Sequence, residues 1–292
     1  MNKFSYSFLV VLTTSLMGSA FAIGKIGLEY ASPIMLVALR FTIAGVVMGL
    51  IVYLLKRPHP KILSTWGKIF VIGAFQTAGV MGCIFVSLKT ITAGESSILT
   101  FMNPLLVVIF GTIFLKHHYR KLQWFGVSIG FIGVVITFGA HLTIKTGTIL
   151  GFGSAVSWAI GTLLIKTWGM KIDVWVLTAY QMLFGGIILF ISSFFLETVF
   201  FIPNVSSIMI LLWLAIMASV VQFAIWFYLL QTGDPGKTSA FLFLAPFFGV
   251  LSGAIILNEQ IHWYVMLGGG FIFIGIFFAN WMPQKTADSN IE

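Results

Sequence analysis

The chain has 292 residues, of which 59% are hydrophobic and only 8% are charged, and its mean hydropathy is +1.05. Because a soluble domain carries about 25% charged residues, this composition excludes an ordinary globular protein. The single cysteine, Cys83, excludes a disulfide framework and a cysteine-based metal site.

Long apolar runs divide the chain into ten hydrophobic spans that are joined by short connections. Each span has about the 20 residues that an α-helix needs to cross a bilayer. The sequence therefore predicts an all-α polytopic membrane protein with ten transmembrane helices. The spans cover residues 6–23, 33–55, 69–88, 94–115, 122–140, 147–165, 174–196, 208–230, 239–257 and 264–281.

The first span also has the features of a secretory signal peptide. Lys3 precedes an apolar run, and Ala20-Phe21-Ala22 has the pattern of a cleavage site. An internal repeat argues against cleavage, because the stretch from Met17 to Lys25 aligns with residues 158–166, 141 positions later. A segment with a counterpart inside the mature chain is expected to be kept, so we interpret it as a spanning helix.

The basic residues set the predicted orientation of the chain. With the N-terminus in the cytoplasm, twelve of them lie in inside connections, three lie in outside connections, and Arg40 lies within a span. This distribution follows the positive-inside rule, so the formal net charge of +8 reflects membrane topology rather than nucleic-acid binding. We expect a multi-pass protein of the cytoplasmic membrane with both termini in the cytoplasm.

The two halves of the chain repeat each other most clearly at residues 92–115 and 234–257, which align at a constant offset of 142 positions. Each copy carries a proline near its middle, Pro104 or Pro246. A proline removes a helical hydrogen bond, and hydrocarbon has no water to replace it. We therefore expect both helices to kink and to line something other than lipid. Matched positions include Gly94 with Gly236, Ser97 with Ser239, Phe101 with Phe243 and Gly111 with Gly253.

Five helices per repeat is an odd number, so the two repeats, residues 1–141 and 142–282, are expected to cross the membrane in opposite orientations. The connections agree with this. Residues 116–121 read KHHYRK, whereas their counterpart, residues 258–263, contains no lysine or arginine. Inverted repeats around a site at the membrane midplane are a recurrent plan of secondary transporters. The polar tail, residues 283–292, is expected to be cytoplasmic and disordered.

Taken together, several scattered positions make the chain similar to a known family. It resembles the drug/metabolite transporter superfamily, specifically the EamA type, over nearly its whole length. The resemblance implies ten helices in two five-helix repeats, and export or exchange of small metabolites, often amino acids or amines. Met17 departs from it, since the family has a tryptophan there. The positions that carry the resemblance are Gly18, Lys25, Arg40, Pro104, Trp158, Lys166, Pro246 and Glu259, with Gln181 at the second arginine position.

Arg40 lies about seven residues, or roughly 10 Å, inside the second span. A charge at that depth usually faces a protein interior or a wet cavity. Two interpretations stay open: an anchor for a carboxylate or phosphate of the substrate, or a structural cation bonded to backbone carbonyls. Lys25, nearer the membrane surface, is interpreted as a topology charge or a lipid-facing charge.

Other polar and aromatic residues fall near mid-membrane and are candidates for lining a cavity. Asn103 can satisfy carbonyls that Pro104 leaves free, or bind a polar substrate group. Serine hydroxyls often bond only to their own helix, and the tryptophans are deeper than an interfacial belt. The candidates are Ser15, Gln76, Asn103, Ser157, Trp158, Gln222 and Trp226, together with Arg40.

The predicted function is a secondary transporter of small metabolites, amino acids or related compounds, that works by alternating access. Efflux of cationic or lipophilic drugs is an alternative, but no acid lies in the middle of a span, and such efflux commonly uses a buried carboxylate. A membrane-embedded lipid-modifying enzyme is a remote alternative. We expect no enzymatic activity, no cofactor and no metal. The expected partners are a small-molecule substrate and the lipid bilayer, not nucleic acid; the oligomeric state stays open.

Overall fold

The computed structural model describes residues 3–116, 120–137, 145–232 and 241–279, and their regular structure is helical. Their only β contact is one isolated bridge between Ala31 and Phe201. Seven helices are long and apolar enough to cross a membrane, and three further apolar helices are shorter. The predicted all-α membrane fold is confirmed, while the number of ten crossings stays a prediction.

The helices follow the predicted spans, although several spans are divided into two or three segments. The elements, in chain order, are α1 (Lys3–Gly27), α2 (Pro33–Leu54), α3 (Leu63–Gly73), a π-helical segment (Ala74–Gly79), α4 (Val80–Ser87), α5 (Ala93–Thr100), α6 (Asn103–Leu115), α7 (Lys121–Thr137), α8 (Thr146–Trp168), α9 (Val174–Leu196), α10 (Val205–Leu212), a second π-helical segment (Trp213–Val221), α11 (Gln222–Thr232), α12 (Leu244–Leu257) and α13 (Trp263–Ala279). The repeat boundary at residues 141 and 142, Gly236, Ser239 and the tail from residue 283 lie outside the described residues.

Helices α2 and α9, which are equivalent in the two repeats, run antiparallel and almost touch. A Cβ atom on Gly45 would lie 2.5 Å from the Leu183 nitrogen, and one on Gly186 would lie 2.6 Å from the Thr42 nitrogen. Position 45 therefore meets position 183, and position 42 meets position 186. Each of these contacts is the symmetry counterpart of the other, because position 186 is equivalent to position 45 and position 183 to position 42, both at the repeat offset of 141.

The last helices of the two repeats, α7 and α13, pack in the same antiparallel way. A Cβ atom on Gly133 would lie 2.6 Å from the Gly268 oxygen, and one on Gly275 would lie 2.6 Å from the Gly126 oxygen. Glycine lets backbones approach closely at membrane helix interfaces. Two pairs of equivalent helices, α2 with α9 and α7 with α13, thus join the repeats in opposite orientations. This is the orientation that an odd number of helices per repeat predicts.

The remaining helices also pack against helices of the other repeat. Helix α1 packs on α12 and α11 of the second repeat, and α8 packs on α4, α5 and α6 of the first. These interfaces are related by the same exchange of repeats. The buried core consequently lies between the repeats rather than inside either one.

The prolines mark the beginnings of helical segments. Helix α5 ends at Thr100, and α6 begins at Asn103 with Pro104 as its second residue. Helix α12 begins at Leu244, directly after a 3-10 helical turn at Phe241–Phe243, so Pro246 stands in the first turn of α12, and the kink there stays a prediction. A proline is tolerated there because the first N–H groups of a helix have no intrahelical acceptor.

A substitution at the α2–α9 contact tests this packing. We expect Gly45→Ala to destabilise the protein by about 1–3 kcal/mol, the usual cost of overpacking, because its methyl group would meet the Leu183 backbone. Gly49→Ala, on the same helix, is the matched control, since a Cβ atom at Gly49 meets nothing within 4 Å. Thermal unfolding in detergent, followed by tryptophan fluorescence, measures the difference. Equal melting temperatures for the two variants would contradict the close contact.

Candidate functional site

A cavity of about 450 Å³ lies between the two repeats. This volume is within the range of roughly 300–1,000 Å³ typical of small-molecule sites. Eight of the ten residues predicted to line a cavity or to kink a helix belong to its lining. They are Arg40, Gln76, Asn103, Pro104, Trp158, Gln222, Trp226 and Pro246.

The structure does not bring the two candidate serines into the described cavity lining. The Ser15 hydroxyl donates to the Leu12 carbonyl of its own helix at 2.9 Å. The Ser157 hydroxyl donates to the Phe75 carbonyl at 2.8 Å. Both hydroxyls therefore satisfy backbone acceptors, and Ser157 joins α8 to the beginning of the first π-helical segment.

Aromatic side chains form much of the cavity wall, and sequence reasoning identified only two of them. Phe101 lies between Phe21 and Trp158, with ring centroids 6.1 and 5.3 Å away. Phe85 and Phe223 complete this wall. These phenylalanines lie among many other apolar residues of the spans, so their type alone did not separate them from core residues. The position of Phe101 three residues before Pro104 was the available signal.

The cavity reaches one end of the helix bundle and stops short of the other. At one end it is lined by Lys166, the exposed lysine in the last turn of α8, and by Val174 at the beginning of α9. Toward the other end the described lining of α1 stops at Phe21, one helical turn before Lys25. We call these the Lys166 end and the Lys25 end.

An ion pair lies at the Lys25 end. The Lys25 Nζ atom lies 2.8 Å from Glu259 Oε1 and also donates to the Ile91 carbonyl at 3.0 Å. Glu259 accepts from the Ala93 nitrogen at 2.9 Å, at the N-terminus of α5, where a negative charge is favoured by the helix dipole. Of the two interpretations of Lys25, the lipid-facing charge is corrected by this pairing, and the topology charge stays a prediction. The opposite charges at the ends of two spans were the signal that the sequence offered.

Arg40 connects α2 to the second π-helical segment. Its Nε atom donates to Ser219 Oγ at 2.9 Å, and its Nη2 atom donates to the Ala218 carbonyl at 2.8 Å. Its guanidinium carbon lies 4.7 Å from the ring centroid of Phe41 and 5.9 Å from that of Phe85. The side chain is only 3% exposed yet lines the cavity. Its hydrogen bonds to Ser219 and Ala218 fit a structural cation, and its place in the cavity lining fits an anchor for the substrate.

The equivalent place in the other repeat holds a neutral pair. Thr77 Oγ1 donates to Gln181 Oε1 at 2.6 Å, where Thr77 belongs to the first π-helical segment. Gln181 corresponds to Arg40, and Thr77 corresponds to Ser219, at offsets of 141 and 142. The π-helical segments were not predicted, because no sequence signal separates them from an ordinary spanning helix. Such segments are frequent at functional sites.

Two glutamine side chains of the cavity wall have buried atoms without a hydrogen-bond partner among the described residues. These atoms are Gln76 Oε1 and Gln222 Nε2. A buried unpaired polar atom costs about 1–3 kcal/mol.

Comparison with known proteins gives a consistent result. Residues 4–139 and 145–281 each match the EamA-like transporter family. The uncharacterized transporter YvbV of Bacillus subtilis (strain 168) is 27% identical over 271 residues, covering 90% of this chain and 86% of that protein. The uncharacterized inner membrane transporter YedA of Escherichia coli (strain K12) is 27% identical over 261 residues, covering 85% and 83%. A crystal structure of a protein has a similar fold, with a TM-score of 0.67 and 20% identity over 93% of this chain and 96% of that one.

The ion pair at the Lys25 end gives a testable prediction. We expect Glu259→Gln to increase labelling of an Ala20→Cys variant by a membrane-impermeant maleimide added at the Lys25 end, in a Cys83→Ala background. The reason is that the neutral side chain at position 259 no longer forms an ion pair with Lys25. The reagent then reaches the cysteine at position 20, in the cavity lining, more readily from that end.

Glu197→Gln is the matched control for this experiment. Glu197 also accepts from backbone N–H groups at a helix N-terminus, those of Ile34 and Met35 at 3.0 and 2.8 Å. Its replacement removes a similar cap, worth about 1 kcal/mol, without touching the ion pair. Equal labelling rates in the two variants would show that the Lys25–Glu259 pair does not close the cavity.

Proposed function

The chain belongs to the EamA-like transporter family, and from this premise we propose that it is a secondary carrier that exports or exchanges small metabolites by alternating access. The family and the names of the relatives indicate a membrane transporter rather than an enzyme. The observation that carries the finer proposal is the cavity between two inverted repeats, whose lining reaches Lys166 at one end and stops one helical turn short of Lys25 at the other, which we take as an open and a closed end. Carriers with inverted repeats bind substrate at such an interface and rock one repeat against the other.

The positive-inside rule supplies the direction of this state. Lys166 lies in the last turn of α8, at the end that the charge distribution assigns to the cytoplasm, whereas Lys25 belongs to the opposite side. With both termini in the cytoplasm, the open end of the cavity faces inward. The carrier described here is then in its inward-open state, ready to accept a cytoplasmic metabolite for export or exchange.

Amino acids and related compounds are the proposed substrates. The cavity offers a guanidinium, five amide side chains and an aromatic wall, so it suits a small molecule that has both a polar head and an apolar body. The lining amides are Gln76, Asn103, Gln123, Gln181 and Gln222. Such groups fix the orientation of a ligand through hydrogen bonds, while the rings provide contact area.

Efflux of cationic or lipophilic drugs is the second candidate. Carriers of cations commonly use a buried carboxylate that exchanges a proton for the cation. Among the lining residues that the structure describes, none is an aspartate or a glutamate, and Arg40 and Lys166 are both cationic. This charge balance favours the metabolite carrier.

Reconstitution tests the proposal directly. We expect purified protein in liposomes to exchange labelled amino acids, or related metabolites from a broad panel, against an unlabelled internal pool. Val107→Trp should abolish this flux, because position 107 lines the cavity and the larger side chain would fill it. Val46→Trp is the matched control, since Val46 is exposed on the outside of α2.

Two results would contradict the carrier. One is the absence of any protein-dependent flux across the whole panel while the protein is folded. The other is flux that is unaffected by Val107→Trp, because the substrate would then pass by a different route.

A further inference from the structure

Arg40 is a permanently charged group that the protein does not neutralise within the part of the chain that the structure describes. Its two hydrogen bonds go to neutral acceptors, Ser219 Oγ and the Ala218 carbonyl. The described ion pairs join other residues, Lys25 with Glu259 and Arg57 with Asp173. Removing a charge from water without a counter-ion is costly, so this position favours the entry of an anion.

The symmetry of the repeats separates the structural role of Arg40 from its charge. The equivalent contact, between Thr77 and Gln181, joins the same kinds of segment through a neutral hydrogen bond of 2.6 Å. Joining α9 to a π-helical segment therefore needs no charge in the second repeat. The charge of Arg40 therefore needs a separate explanation, in a role that the equivalent residue Gln181 does not have.

The guanidinium also has donor capacity to spare. Arginine has five N–H donors, and the Nη1 group of Arg40 has no hydrogen-bond acceptor among the described residues. The rings of Phe41 and Phe85 lie near the guanidinium carbon, and an arginine can stack on rings while its edge stays available for hydrogen bonds. The side chain borders the cavity, from which an anion can approach.

The rest of the cavity agrees with an anionic ligand of moderate charge. Lys166 places a second cation at the open end, and no acidic residue belongs to the described lining. Asp173, beside the mouth, is already bonded to the Trp175 nitrogen at 2.9 Å and paired with Arg57. One deep guanidinium against aromatic rings suits a monoanion with an apolar body better than a phosphate dianion, which needs more donors.

We propose that Arg40 is the anion subsite of this cavity and that the substrate class is carboxylates with an apolar or aromatic body. The carboxylate binds the free edge of the guanidinium, and the body lies against Phe85, Phe101 and Trp158. This inference rests on the proposed function, which it narrows from amino acids and related compounds to molecules that bind through a carboxylate. A free amine without a carboxylate is disfavoured by the charge of the site.

A matched series of probes tests the subsite without a transport assay. The probes are 3-phenylpropionate, 3-phenylpropionamide and 3-phenylpropylamine, which share one body and differ in the charge of the head. We expect the purified protein in detergent to bind the carboxylate at least about tenfold more tightly than the amide or the amine, equivalent to roughly 1.4 kcal/mol. Quenching of tryptophan fluorescence and the shift in melting temperature measure binding.

Three variants show whether the preference belongs to Arg40. Arg40→Gln copies the residue of the other repeat and should remove the preference for the carboxylate. Arg40→Lys keeps the charge without the planar fork and should keep a reduced preference. Thr77→Val breaks the neutral counterpart of the Arg40 contact and should leave the preference unchanged, which a merely structural role of these contacts would not predict.

Each outcome decides the proposal. Equal binding of the three probes, stronger binding of the amine, no carboxylate binding at millimolar concentration, or an unchanged preference in folded Arg40→Gln overturns it. If Arg40→Gln does not fold, the probe series on the wild-type protein and on Arg40→Lys still decides. Carboxylate preference without flux in liposomes contradicts the carrier alone, whereas flux that is indifferent to a carboxylate contradicts the subsite alone.

Discussion

The close antiparallel contact between equivalent helices of the two repeats is the constraint on which the rest of the structure depends. Membrane helices gain little hydrophobic free energy from meeting each other, so their association relies on packing and hydrogen bonds. Glycines at Gly45 and Gly186 bring α2 and α9 together, and Gly133 and Gly275 do the same for α7 and α13. These two pairs fix the repeats in opposite orientations. The helices between them then surround a shared space, which is the cavity.

The π-helical segments explain how polar groups reach mid-membrane. A regular α-helix binds its own carbonyls and has few backbone acceptors to offer there, whereas a π-helical segment shifts the hydrogen-bond register and frees some of them. The Ala218 carbonyl, inside such a segment, accepts from Arg40. The equivalent contact on the other side of the cavity joins Thr77 of the first repeat to Gln181 of the second without a charge. Equivalent helices thus make a charged contact on one side of the cavity and a neutral contact on the other.

Much of the fold could be predicted from the sequence, and less of the site. Span length and basic connections are strong signals because the thickness of the bilayer and the positive-inside rule constrain them. The constant repeat offset is a third signal, which direct comparison of the two halves shows. The pairing of Lys25 with Glu259 depends on the approach of segments 234 positions apart, and helix packing sets this approach. Likewise Ser15 satisfies a backbone carbonyl, although its depth in the span suggested a cavity. The aromatic wall stayed hidden because phenylalanine is common throughout the spans.

We propose that the two ends of the cavity open alternately as the repeats rock. Distances between paired spin labels measure this motion, with Glu29→Cys and Gln260→Cys at the Lys25 end, and Arg120→Cys and Met170→Cys at the Lys166 end, each pair in a Cys83→Ala background. All four side chains are exposed. We expect two populations at each end, with the Glu29–Gln260 distance long whenever the conditions make the Arg120–Met170 distance short. Distances that stay fixed, or that lengthen at both ends together, would contradict it.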